Sequence, residues 1–90
     1  MARARIHDIE YRDHRVRLEV TEGGDLVLYL DGVERKRRDS TGLPCAYVWT
    51  NVELHWEEHH YFEGRWWPES DRLELTVNGK PLISEPANAL

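Results

Sequence analysis

Ninety residues, 40 % of them apolar and 32 % charged, make one globular domain, because a chain this short buries only about 60–65 % of its unfolded surface and has no room for a second core. The net charge of -5 is uneven: residues 1–38 carry nine Lys/Arg against eight Asp/Glu, and residues 39–90 carry three against nine. That balance argues against nucleic acid, whose affinity comes from counterion release by basic side chains, and favours partners with basic surfaces. Cys45 is the single cysteine, which excludes an intrachain disulfide and fits a reducing compartment. No apolar run approaches the roughly 20 residues that span a bilayer, and the start MARARIHDIE has no apolar h-region, so the expected location is cytoplasmic and away from membranes.

Along the chain, residues 1–4 read as a flexible start. Ile6 to Tyr11 reads as a short strand in which Ile9 and Tyr11 share a side and Ile6 is out of phase, so a bulge at Asp8 is expected. Val16, Leu18 and Val20 alternate with Arg15, Arg17 and Glu19, the period of two that sets one face on a core and the other in water. Glu22-Gly23-Gly24-Asp25 supplies a tight reversal, and LVLYL at 26–30 is apolar on both faces, as a central strand is. Asp31-Gly32 is the preferred pair for a type I′ turn, folding Val33 to Arg38 back onto LVLYL. VERKRR then forms a solvated outer strand, since Lys and Arg there prevent edge-to-edge pairing.

Asp39 to Pro44 is a loop within one domain rather than a boundary. From Ala46 a long strand is expected to run through His59, with Val48, Val52, Leu54 and Trp56 on the core face and Tyr47, Trp49, Asn51, Glu53, His55, Glu57 and His59 on the other. Glu63-Gly64 reads as a turn and Arg65-Trp66-Trp67 as a return strand ended by Pro68. Leu73, Leu75 and Val77 alternate again, Asn78-Gly79 repeats the Asx-Gly turn, and Pro81 marks the last strand as an edge before a flexible tail at 85–90. LVLYLDGVE and LELTVNGKPL echo one another, which two hairpins of common design explain without duplication. The fold class expected is therefore all-β, a small antiparallel sandwich or flattened barrel of about seven strands built from hairpins.

HRVRLEV, the turn, LVLYLDGVE and later LELTVNGKPL resemble, in strand order, turn placement and spacing, a β-rich domain of the Fas apoptosis inhibitory molecule family. The resemblance spans roughly His14 to Leu82 and implies an antiparallel β-sandwich with a non-enzymatic role in protein interaction. It supplies no site residues, and HWEEHHYFEGRWWPES has no counterpart in that pattern.

Residues 47–67 hold all four tryptophans, the only phenylalanine and three of the five histidines. Trp56 and one of Trp66 and Trp67 belong in the core, because adjacent residues of a strand cannot both face inward. The other, with Tyr47 and Trp49, is left on the surface beside Glu53, His55 and Glu57, and exposed aromatics ringed by acids are the composition of a protein-binding hot spot. The leading expectation is thus a non-enzymatic interaction module or small inhibitor that docks a basic partner through Tyr47, Trp49, Glu53, His55, Glu57 and Trp66 or Trp67; a homodimer contact is another use of the same rings. No cofactor and no catalytic residue is expected: Cys45 reads as a packing residue, and neither a phosphate loop nor a nucleophile elbow is present. Two alternatives are a metal site from His55, Glu57 and His59, perhaps joined by His60, at a spacing of two on one strand, and a ligand-binding β-barrel with the aromatics inside.

Overall fold

The computed structural model describes residues 4–55 and 58–85, without the side chains at 53–55, 58 and 85. Among these residues eight strands, one more than the sequence suggests, follow each other as β1 (Arg5–Tyr11), β2 (His14–Val20), β3 (Asp25–Leu30), β4 (Val33–Asp39), β5 (Ala46–His55), β6 (Glu58–Trp67), β7 (Arg72–Val77) and β8 (Lys80–Glu85). They form two antiparallel four-stranded meanders, β1-β2-β3-β4 and β5-β6-β7-β8. Among the described residues no ladder joins one meander to the other, so the two sheets form a sandwich. Among the described residues no helix is long and apolar enough to cross a membrane.

Two-residue turns make the β1–β2, β3–β4 and β7–β8 hairpins. Asp31 (φ 51°) with Gly32 (82°) and Asn78 (49°) with Gly79 (83°) take the left-handed pair of angles a type I′ turn needs, and Arg12 (49°) with Asp13 (67°) does the same without a glycine. The alternation in β2 and β3 then builds the core. Val16, Leu18, Val20, Leu26 and Leu28 of the first sheet pack in one cluster with Ala46, Val48, Val52, Phe62, Trp66, Leu73, Leu75, Val77 and Ile83 of the second. Val27, of opposite parity, is also fully buried, beneath the row in which Arg37 holds Asp25 at 2.7 Å and Glu34 at 3.2 Å.

Three sequence expectations change. β1 pairs with β2 in unbroken register, so no bulge forms at Asp8; Ile6 simply faces outward, 54 % exposed. Glu63-Gly64 is not a turn, because β6 runs unbroken from Glu58 to Trp67 with Gly64 in its middle. A Cβ at Gly64 would lie 2.7 Å from Leu18 Cδ1 and 3.1 Å from Val48 Cγ2, so glycine stands there to admit the opposing sheet and not to reverse the chain. The long strand from Ala46 ends at His55, and His59 belongs to β6, opposite Glu53.

The echo between the halves runs deeper than two turns. β3–β4 bulges between Leu28 and Tyr29, and β7–β8 bulges at the matching Leu75 and Thr76. Asp31 Oδ1 accepts from the Arg15 backbone N–H at 2.9 Å, while Asp31 N–H donates to the Arg15 carbonyl at 2.7 Å. Asn78 makes the same two bonds with Tyr61, both at 2.9 Å. Leu18 pairs with Leu28 as Gly64 pairs with Leu75, so the two residues that interlock across the sandwich are also structural equivalents.

Candidate functional site

β5, β6 and β7 present their outward parity as cross-strand rows: Trp49, Glu63 and Thr76; Tyr47, Arg65 and Glu74; Asn51 and Tyr61; Trp67 and Arg72. Trp49 is 41 % exposed, and Tyr61 is 36 % exposed at a ring-centroid distance of 5.7 Å and an interplanar angle of 31°. Tyr47 is half-buried and donates its hydroxyl to Glu63 Oε2 at 2.5 Å. Burial and that carboxylate both raise the Tyr47 pKa, so the ring is a neutral donor and not a phenolate.

Every ring of this face is met by one of the protein's own cations or another ring. The Arg65 guanidinium lies 4.8 Å from the Tyr47 centroid, Arg72 lies 5.0 Å from Trp67, and the Lys36 ammonium lies 5.4 Å from Trp49, all within the reach of a cation–π contact. Arg65 also approaches Glu63 (3.5 Å) and Glu74 (3.8 Å), and Arg72 approaches Glu74 (3.6 Å). The described part of the face is therefore aromatic with interleaved charges of both signs, and not a simple acidic field.

Of the predicted residues, Tyr47, Trp49 and Trp67 come together here. Trp66 does not: it is 3 % exposed in the core, with its indole N–H donating to Asp71 Oδ1 at 3.0 Å. The side chains of Glu53 and His55 and all of Glu57 lie outside the described residues, as does Trp56. For the metal reading, His59 stands on β6 opposite Glu53 and not on one strand with His55, while the His55 side chain and Glu57 lie outside the described residues; among the described residues no group of three or more His, Cys, Asp or Glu could hold an ion. His60 is buried, with Tyr11 Oη 3.1 Å from its Nδ1. Burial raises the Cys45 pKa, which suits a packing residue.

Tyr61, Glu63, Arg65, Arg72, Glu74 and Lys36 escaped the sequence reading. Once β6 is one strand, Tyr61, Glu63, Arg65 and Trp67 share one parity, and only the misread turn at Gly64 hid it. Nothing in the sequence places Lys36, on another sheet, over Trp49.

The first sheet supplies an internal comparison. Where the second has Trp49, Glu63 and Thr76, the first has Asp8, Arg17 and Tyr29, with Arg17 held by Asp8 at 3.0 Å and 5.8 Å from the Tyr29 ring centroid. The same scaffold is thus satisfied by a salt-bridged row without an exposed Trp. Comparison with protein-family models, curated proteins and solved structures finds nothing that matches this chain. The fold and face define a small two-sheet β protein with one aromatic outer surface, and the likeness to the Fas apoptosis inhibitory molecule family rests on strand and turn pattern alone.

Proposed function

We propose that this is a non-enzymatic interaction module of a reducing, cytoplasmic setting whose second sheet docks a basic partner protein through Trp49, Tyr61, Tyr47 and Trp67. The observation that supports this is the contrast between two equivalent sheets. One outer face carries Asp8–Arg17 and Arg37–Asp25 ion pairs with an exposed Ile6 at its rim, and the other keeps a 41 % exposed Trp49 beside Tyr61. The scaffold does not require exposed aromatics at that row, and aromatic rings grouped on one outer face, not scattered singly, are the mark of an interaction surface. The ring faces attract cations, and Glu63 and Glu74 stand among them as acceptors for a basic group.

The test is calorimetric titration of the protein with an oligolysine peptide at low and at physiological salt. Trp49→Ala should weaken binding about tenfold or more, as loss of a central aromatic anchor does, with the fold intact by circular dichroism. Equal binding by wild type and Trp49→Ala rejects the face.

A further inference from the structure

β4 is an edge strand with every residue exposed, and its bulge leaves Arg35 as the extra residue between Glu34, which pairs with Tyr29, and Lys36, which pairs with Leu28. Lys36 and Arg38, opposite Leu28 and Leu26, therefore carry the core-side parity of the first sheet, where an ammonium or guanidinium cannot be buried. They escape past the sandwich edge, where β5 is also an edge strand. Arg35 Nε donates to the buried Thr50 hydroxyl at 3.3 Å, fixing β4 against β5, and the Lys36 ammonium comes to rest 5.4 Å from the Trp49 centroid.

We infer that Lys36 is a built-in competitor: it occupies on Trp49 the position that a partner's lysine ammonium takes, so docking proceeds by exchange of one alkylammonium for another. This rests on the docking reading above and adds to it the recognised group and a restraint on its affinity. The chemistry is symmetrical: both ammonium groups are strongly hydrated, both gain the same ring-face attraction, and only one fits over Trp49. Trp49 has Tyr61 on a neighbouring position, so an incoming lysine finds two tilted rings once Lys36 swings into solvent. The bulge at Arg35 is what aims the competitor, because without it Lys36 would take the opposite parity.

The experiment compares oligolysine affinity by calorimetry for wild type, Lys36→Met, Arg38→Met and Trp49→Ala, each checked for unchanged thermal melting. Lys36→Met keeps most of the length of the side chain and removes the ammonium from Trp49; Arg38→Met removes the same charge from the same side of the same strand. Lys36→Met should bind about two- to fivefold tighter than Arg38→Met, the range an exposed cation–π contact represents. Equal affinities for those two variants overturn the competitor role, since Lys36 would then act only as a charge. Unaltered affinity in Trp49→Ala, or no binding by the wild type, instead overturns the docking reading on which it stands.

Discussion

At Gly64 two methyl groups of Leu18 from the opposing sheet, together with one of Val48, already fill the volume a Cβ would need. Gly64→Ala should therefore destabilise by about 1–3 kcal/mol, despite the gain in strand propensity, because the crowding is on both sides. Leu18→Ala alone should cost about 2–5 kcal/mol. The double variant should cost less than the sum, since the new methyl enters the cavity the old side chain leaves; urea unfolding of the four proteins measures the coupling. Asp31 and Asn78 offer a second experiment at this scale. The His14 side chain, 2.7 Å from Oδ2, and then the Arg15 backbone N–H hold the Asp31 carboxyl below its ordinary value. A depressed folded pKa stabilises above the unfolded value, and that contribution is lost as pH falls through the folded value. Asn78 makes the same backbone bond with no charge, so Asp31→Asn should keep the turn and lose less melting temperature than wild type between about pH 5 and about pH 2.5. The slope should not vanish, because Arg17 lowers Asp8 and Thr41 lowers Asp39 in the same direction.

At the scale of elements, three of the sheet edges are guarded in different ways. β8 has Pro81 and a bulge, β4 has its own bulge and the run Arg35 to Arg38, and β5 has Arg35 and Lys36 laid against it. β4 contributes no residue to the buried cluster, so its cations serve solubility and reach more than packing. Replacing Arg37 and Arg38 by Thr should leave thermal stability within about 1 kcal/mol of wild type, the range of surface ion pairs, while raising the rate of aggregation seen by light scattering near neutral pH. Unchanged scattering would mean that the bulge together with Arg35 and Lys36 suffices to protect this edge.

For the whole molecule, the two meanders share one buried cluster, so neither sheet has a core of its own. Leu28 and Leu75 hold equivalent positions, and either change to Ala should cost about 2–5 kcal/mol. Trp49, Trp66 and Trp67 stand on the second sheet, so tryptophan fluorescence follows that sheet, whereas far-ultraviolet circular dichroism reports both. Leu28→Ala, made in the first sheet, should move the fluorescence and dichroism midpoints together; a fluorescence midpoint left where it was would show two separately folding sheets.

The strand periods, the Asx-Gly turns, the charged edge at Val33 to Arg38 and the outward Trp49 were legible in the residues, because alternation and turn chemistry are local properties that each segment states by itself. The Asp31 and Asn78 turns even share backbone bonds that their side chains dictate. What the chain could not state alone was the meaning of Gly64, which reads as a turn until Leu18 from the other sheet is seen above it, and with it the parity that buries Trp66 and turns Tyr61 and Trp67 outward. The same holds for Lys36 over Trp49: a contact between two edges depends on how the sheets are stacked, and stacking is decided by packing among residues far apart in sequence.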